Sequence, residues 1–412
     1  MLVNYNGGEL LARAVRSAVT SQWPGSIDVV VVDNGSDDDS LAAIRDVPNV
    51  SIIETGTNAG FAANNLGFAD VIGQPFTLDL PKPDIVALLN PDAFFRPDAL
   101  RLLAGALDAG TGSGSKVGAA SPVILFDRPF LECTIETDDK HLVVDRISSG
   151  GVDMSAQCHG VFGAERLPGD NGPVWLCPDG SLVRVPISSA NERITFHVAH
   201  GDGAIDGVEL DENRSARIDA LMRRSYRVVQ NAGVTVDEWG TGHSRAFAKR
   251  IDEPRGAPAP LWCGAAVVFH ADYLADIGGF DENYFLYYED VDLGLRGQAA
   301  GWRTAHVPEA IVEHRHSDRS VQGTELVEVL QHRNRLLTQV RHGSPTDVAK
   351  IFARAAVTPV SIAVSAVRAP QERSERLRLA KWRAKSLGQA VKGAGGARSA
   401  RKALDRRTEQ DS

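Results

Sequence analysis

Three short apolar runs in the first 90 residues each stop at a polar cluster, and the chain between them reads as amphipathic helix. Val29-Val30-Val31-Val32 is followed by Asp33-Asn34-Gly35-Ser36, Val50 to Ile53 leads into Thr55 to Asn58, and Ile85 to Leu89 ends at Asn90-Pro91-Asp92. β-Branched runs alternating with helical stretches signal βαβ units and a parallel sheet. Pro97 then opens the next helix, where its missing N–H costs nothing. Open sheets of this kind place ligands beyond the carboxyl ends of their strands, and that is where the polar clusters fall. Only Leu2 and Val3 stand where a first strand belongs. That is short for a strand, and the expectation is a start codon upstream.

From Asp127 to Val229 the helical periodicity fades. Short alternating stretches appear instead, with turn signals at Asp138-Asp139, Gly150-Gly151, Asp179-Gly180 and Gly201-Asp202-Gly203. This reads as a β-rich insertion, with Trp175 to Pro186 a hairpin turning at Asp179-Gly180. The α/β pattern returns at Trp262 to Phe269, followed by a helix, a turn through Gly278-Gly279-Phe280-Asp281 and a second helix containing Glu289-Asp290-Val291-Asp292-Leu293. Arg303 to Val307 and Ile311 to His314 read as two short strands.

Charge divides the chain. From Lys350 to Ser412, 15 Lys and Arg face 5 Asp and Glu, so the net −9 of the 412 residues splits into a tail of +10 and a body of −19. An acidic body argues against nucleic acid as a partner, and a basic tail suits anionic surfaces. Within the tail Leu377, Ala380, Ala384, Leu387 and Val391 are spaced 3-4-3-4, an apolar seam for a membrane interface or a helix bundle; membrane proximity is the favoured reading. From Gly393 the expectation is disorder. The apolar run Ala355 to Val367 is broken by Pro359 and falls short of the ~18 residues of a spanning helix. No secretory signal opens the chain, and Cys133, Cys158, Cys177 and Cys263 lack C-x-x-C spacing, so buried thiols in a cytoplasmic protein are expected.

Six motifs occur in order: Leu2-Val3-Asn4-Tyr5-Asn6-Gly7, Val32-Asp33-Asn34-Gly35-Ser36, Asn58-Ala59-Gly60-Phe61, Leu89-Asn90-Pro91-Asp92, Gly279-Phe280-Asp281 and Tyr288-Glu289-Asp290-Val291-Asp292-Leu293. Together they resemble the family 2 glycosyltransferases, most closely the bacterial rhamnosyltransferase-like branch. The resemblance skips the insertion and fades in the tail. It implies a GT-A fold: Rossmann-like α/β, a mostly parallel sheet with flanking helices, here with a β-rich insertion and a helical basic C-terminal tail. Residues 1–126 would form the nucleotide-sugar-binding half, 127–229 the insertion, 230–343 the acceptor and catalytic half, and 344–412 the tail. The implied activity is inverting transfer of a sugar from a nucleotide-diphosphate donor, dTDP-rhamnose first and a UDP-hexose second. The implied acceptor is a cell-envelope saccharide or lipid-linked sugar at the inner face of the membrane.

The residues fit those roles. Asp33 follows a buried strand, where a carboxylate can accept from a ribose or base; a plain turn cap is the alternative. Asn4 and Asn6 end the first strand, where amides can read a base or merely form the turn. Asn58 and Gly60 precede a predicted helix whose N–H groups would favour an anion, with Asn64 and Asn65 one turn on. Asn90-Pro91-Asp92 occupies the place of the family's D-x-D motif, with Asp92 its one full charge, and implies Mg²⁺ or Mn²⁺ at the donor diphosphate. His314 resembles the family's histidine that reaches the metal or a phosphate; His316 would share its face, and His159 beside Cys158 tempts a weaker metal reading. In the Glu289-Asp290 pair, the family makes Asp290 the general base, and Glu289 would raise its proton affinity by like-charge repulsion. Helix capping is the bland alternative. Trp262 and Gly264 lie where the acceptor and donor sugars meet in the family, unless they are simply core. Two rivals stand against the transferase: a nucleotidyltransferase on a similar sheet, and a GT-A scaffold or saccharide-binding protein with a decayed site.

Overall fold

The computed structural model describes residues 1–110, 116–161, 163–169, 172–189, 192–219, 225–315, 324–368 and 373–410. Its first half contains β1 (Leu2–Asn4), α1 (Gly8–Val19), β2 (Val29–Asp33), β3 (Val50–Glu54), β4 (Ile85–Leu89), β5 (Ala93–Phe95), α2 (Ala99–Gly110) and β6 (Val117–Phe126). Beyond the insertion come β7 (Ala266–His270), α3 (Ala271–Ile277), α4 (Glu289–Ala299), β8 (Arg303–His314) and three long helices, α5 (Glu325–His342), α6 (Pro345–Arg368) and α7 (Arg373–Gln410).

The α/β expectation holds. β1, β2 and β3 are parallel neighbours, with Asn4 in register with Asp33, and Leu89 N–H donates to Met1 O at 3.0 Å where β4 meets β1. The second group, in the order β4-β7-β6-β8-β5, keeps the expected mostly parallel sheet, with two reversed strands, β7 and β5. β7 wedges between β4 and β6 and runs antiparallel to both, a direction that needs no crossover helix; only β8 lies parallel to β6. β8 is one strand rather than two, its register slipping between Val307 and Ile311, where Pro308 has no N–H to give. α1 presents Leu11, Ala12, Ala14, Val15 and Ala18 to this sheet, a helical-period stripe that builds the main core with Val29, Val31, Leu103 and Val268.

Between Phe126 and Val229 two antiparallel sheets share one core of Leu131, Cys133, Ile135, Val144, Trp175, Val183 and Phe196. The expected hairpin at Asp179-Gly180 does not form. Gly172–Cys177 pairs with Leu142–Ser149 in one sheet, and Leu182–Pro186 pairs with Phe130–Glu136 in the other. The turn, with Gly180 at φ 72°, carries the chain across the sandwich so that Cys177 and Val183 both face the shared core. The chain re-enters the main sheet through Val229–Asn231, which runs antiparallel to β6.

The tail is a helical layer. α6 and α7 pack on each other and on α5 through Leu336, Ile351, Ala355, Leu387 and Ala390. The inward line of α7 is Ala380, Ser386 and Ala390 with half-buried Leu387, so it keeps two of the five predicted seam residues, Ala380 and Leu387, while Leu377, Ala384 and Val391 are exposed. Small side chains decide this, since they let α7 approach closely; a Cβ added at Gly393 would stand 3.1 Å from Leu337. The segment beyond Gly393, expected to be disordered, continues as helix to Gln410. α6 runs through Pro359, and Pro345–Val367 is long and apolar enough to cross a membrane by length and composition, unlike the shorter run read from sequence; only 11% of its apolar window is buried. Cys133, Cys158, Cys177 and Cys263 are all free thiols, the first three buried.

Candidate active site

The carboxyl ends of β1 and β2 are bonded to each other. Asp33 Oδ1 accepts from Asn4 Nδ2 at 2.8 Å and from Ser36 Oγ at 2.6 Å, and its Oδ2 accepts from Ser36 N–H at 2.9 Å. Asn4 Nδ2 also reaches Ser40 Oγ at 2.8 Å, and its Oδ1 accepts from Gly7 N–H. Both residues are buried, and Asn4 is the post on which the loop is built. Asp33 acts as the cap of its own turn. Asn6, at φ 54°, accepts from Asp37 N–H and stays partly open beside the exposed ring of Tyr5, which the sequence reading passed over.

The Asn58 loop also differs from expectation. The predicted helix is a 3₁₀ turn, Gly60–Ala63, and one α turn, Asn64–Gly67. Its leading N–H groups are already taken: Gly60 donates to Asn58 Oδ1, and Phe61 donates to Phe285 O at 2.7 Å. An anion site there is therefore corrected. Gly60 (φ 70°) serves close approach instead, since a Cβ would fall 2.2 Å from Phe285 O. Asn65 exchanges two hydrogen bonds with the backbone of Phe280, at 2.9 and 2.8 Å. These residues fasten the first half of the chain to the loop that precedes Asp290. Asn58 itself remains exposed at the rim.

Asn90 and Asp92 lie in the turn between β4 and β5, where Asn90 N–H donates to Ala265 O. His314, the last residue of β8, stands with Nε2 2.9 Å from Asp92 Oδ1, while its Nδ1 meets Gln230 Oε1 at 2.7 Å. His314 and Gln230 are buried. One carboxylate oxygen and one imidazole nitrogen, held from behind by an amide, fit an ion that keeps waters and leans on substrate phosphates. Among the described residues no group of three or more His, Cys, Asp or Glu converges to hold a metal by protein alone. Gln230 gave no signal in the sequence beyond its place where the insertion ends. His316 lies outside the described residues. His159 packs among Phe126, Phe130 and Phe247, an aromatic cluster rather than a ligand set.

Asp290 is the second residue of α4. Its Oδ2 accepts from Gly264 N–H at 3.0 Å and its Oδ1 from Val291 N–H at 2.8 Å. Gly264 thus positions this carboxylate. Burial raises Asp290 above the ordinary aspartate range, and the two N–H groups pull it partly back. Glu289 lies deeper: burial first and the neighbouring Asp290 second push it well above the usual glutamate value, and its buried Oε2 has no hydrogen-bond partner among the described residues. The like-charge effect expected on Asp290 therefore falls on Glu289, the member of the pair whose carboxyl is pushed up the more. Trp262 is corrected: its ring is fully buried, edge-on to Phe269 at 4.9 Å, and offers no face to a sugar.

The loop before Asp290 is strained. Phe285, Tyr287 and Tyr288 have φ of 64°, 68° and 69°, left-handed values costing about 1–3 kcal/mol each. Asn334, buried on α5, holds it by donating Nδ2 to Tyr284 O, Leu286 O and Tyr287 O at 2.9, 2.8 and 2.7 Å. Two residues past Asp290, Asp292 is fully buried and accepts from Arg296 Nε at 3.0 Å, Arg341 Nη1 at 3.1 Å and His342 Nε2 at 2.9 Å, which hold its carboxyl far below the usual range. Nothing in the sequence reading marked Asn334 or this cluster around Asp292. A cavity of about 430 Å³ opens over Glu289 and Asp290, walled by α5 and α7.

Residues 1–120 match the sequence model of glycosyl transferase family 2, and residues 218–336 match that of glycosyl transferase family group 2. N-acetylglucosaminyl-diphospho-decaprenol L-rhamnosyltransferase of Mycobacterium tuberculosis is 26% identical over 323 residues, covering 76% of this chain and 74% of that protein. Among solved structures, mannosyltransferase PcManGT from Pyrobaculum calidifontis, in complex with GDP-Man and Mn²⁺, aligns at a TM-score of 0.41 with 14% identity over 95% of this chain and 85% of its own. S. aureus TarS 1-349 in complex with UDP aligns at 0.36 with 12% identity over 98% and 90%.

Proposed function

Because the chain belongs to glycosyl transferase family 2, in its rhamnosyltransferase-like branch, and is a glycosyltransferase served by a nucleotide-sugar donor, we propose that it carries out an inverting transfer with Asp290 as general base. The acceptor hydroxyl enters the cavity above Asp290. As its oxygen bonds to the anomeric carbon, its proton passes to the Asp290 carboxylate. The bond from that carbon to the donor diphosphate breaks on the opposite face, and the nucleoside diphosphate leaves. One observation carries this reading: the Asp290 carboxylate is pinned by Gly264 and Val291 N–H groups at the floor of a cavity, with a proton affinity raised by burial.

The nucleotide lies against the ends of β1 to β4, where Asn6, Asn58 and the exposed Tyr5 ring offer contacts. Asn90, Asp92 and His314 face the diphosphate. A divalent cation held by Asp92 and His314, Mg²⁺ or Mn²⁺, supplies charge neutralisation to the departing diphosphate when bound. The branch and the activity of the mycobacterial relative support dTDP-rhamnose first and a UDP-hexose second, with a saccharide or lipid-linked acceptor. The enzyme works in the cytoplasm, peripheral to the membrane. The outer face of α6 supports that placement, since Val357, Val360, Val364 and Val367 are 64%, 63%, 52% and 73% exposed, and α7 adds exposed Lys381, Lys385 and Lys392.

The test is a panel of nucleotide diphosphates and nucleotide sugars scored by thermal shift with and without Mg²⁺ or Mn²⁺, followed by transfer with the stabilising donor. Asp290→Asn is expected to keep the shift and to lose turnover by about 10²–10⁴-fold. Undiminished turnover in that variant would overturn the assignment of the base.

A further inference from the structure

His314 sits in a seat built by the two ends of the β-sandwich. Three consecutive residues at the end of β8 are each met by a residue where the chain leaves or rejoins the main sheet. Glu313 accepts from Arg227 Nη2 at 2.7 Å, His314 Nδ1 meets Gln230 Oε1 at 2.7 Å, and Arg315 Nε donates to Asp127 Oδ2 at 2.6 Å. We propose that Gln230 is a positioning residue for the divalent cation: its side-chain carbonyl keeps a proton on His314 Nδ1 and so presents Nε2, as the ligand nitrogen, on the side of Asp92. The proposal rests on the assignment of Asp92 and His314 to a cation and deepens that reading.

Three observations lead to it. The backbone around the ring is already fixed, since His314 O accepts from Asp127 N–H at 3.1 Å and Arg315 N–H donates to Asp92 O at 2.9 Å. What the strand leaves open is the rotation of the imidazole and the choice of tautomer, and a hydrogen bond to the second ring nitrogen decides both. Gln230 supplies that bond. Its carbonyl oxygen can only accept, so the Nδ1 beside it carries a proton, and Nε2 is the nitrogen 2.9 Å from Asp92 Oδ1. Next, the amide is out of keeping with its surroundings. Gln230 lies on the strand Val229–Asn231, whose three residues are all buried, and the adjoining Val229 packs with Val123, Leu125 and Ile311. An apolar side chain would serve that packing at less cost, because a buried amide is tolerated only when it is hydrogen-bonded. Finally, Gln230 and His314 are 8% and 5% exposed, so water does not compete for the bond that sets the ring.

The experiment reads the ring and the cation separately, on the full chain. For the ring, the metal-free protein is isotope-labelled at its histidine nitrogens and followed by NMR, with His314→Gln identifying the signal. A proton on Nδ1 of His314 is expected in the parent, and in Gln230→Met that state should no longer be held. For the cation, Mn²⁺ is titrated in the presence of UDP and, separately, of dTDP, with the free ion read by electron paramagnetic resonance. Gln230→Met keeps the length of the side chain but offers no oxygen, and should weaken Mn²⁺ binding by about tenfold to a hundredfold. Gln230→Glu returns an oxygen to the ring and should bind Mn²⁺ as the parent does. A parent whose His314 carries its proton on Nε2 alone would overturn the proposal without any variant, so it stays open to refutation even if Gln230→Met does not fold. A folded Gln230→Met that binds Mn²⁺ as tightly as the parent, or a Gln230→Glu as weak as Gln230→Met, would overturn it while leaving the cation site itself in place. A parent that binds no Mn²⁺ with either nucleotide would instead overturn the assignment of Asp92 and His314 to a cation, and the proposal with it.

Discussion

Replacing Asp292 by Asn keeps the side chain's volume and removes one charge from a fully enclosed cluster. The carboxylate has no exposed surface, while Arg296 and Arg341 beside it are 8% and 12% exposed. An amide in its place turns one acceptor oxygen into an NH₂ facing donors it cannot bond, and leaves two guanidiniums with much of their compensation gone. Removing one partner of a buried ion pair costs about 3–5 kcal/mol, and the second arginine places the expected loss toward the upper end. The assay is urea unfolding of parent and variant at matched pH. The depressed carboxyl of Asp292 contributes stability that is present above its unfolded value of about 3.9 and lost only as pH falls through the folded one. The difference should therefore be constant from pH 8 to pH 5. A loss under about 1 kcal/mol would place the cluster among weak surface pairs and refute the reasoning. A difference that already shrinks between pH 7 and 5 would assign the effect to another group.

Asn334→Leu removes the donor shared by three loop carbonyls, so the left-handed residues before Asp290 should relax and turnover should fall by about tenfold or more, the scale of a misplaced catalytic group; turnover within twofold of the parent would show that the loop holds itself. Glu289 has a raised carboxyl, so the folded protein keeps a proton the unfolded chain gives up, and stability declines as pH rises above the unfolded value of about 4.3. Glu289→Gln should gain on the parent in melting temperature between pH 5 and 8, and a flat or opposite difference would contradict the assignment. The acid limb of kcat/KM, set by protonation of Asp290, should lie above the ordinary aspartate value, with activity falling as pH drops through it; a limb at or below about 3.9 would exclude Asp290 as its source.

The strands that carry the site were legible because continuous valine and isoleucine runs have one stable use, a strand buried on both faces. The places of Asp92, His314 and Asp290 were legible for a related reason, since each stands at the end or start of a regular element. What escaped was partnership across long sequence separations. Gly60 and Asn65 read as ligand-facing residues because nothing local shows that Phe285 and Phe280 lie against them. The cluster at Asp292 went unread because Arg341 and His342 are about 50 residues away. Asn334 and Gln230 are single polar residues within apolar elements, and composition gives them no mark. The hairpin reading failed because turn chemistry specifies a reversal of direction, not which sheet the second strand joins.

The junction of the β-sandwich with the main sheet has a consequence for how such a chain can diversify. Phe126 N–H donates to Val228 O at 3.0 Å, so the polypeptide departs and returns at a single doorway. The entropic cost of closing an excursion rises by only about 0.6 kcal/mol for each doubling of its length, so the sheet scarcely registers how large the guest is. A short bridge or an unrelated module spliced at the same place should leave the host standing. The doorway is also two residues from Gln230, the buried amide against His314, so any module seated there is fastened one side chain away from the group that meets Asp92. Exchange of guests at this position is thus a route by which partners outside the sheet can come to tune the Asp92 and His314 end of the site without altering the residues that compose it.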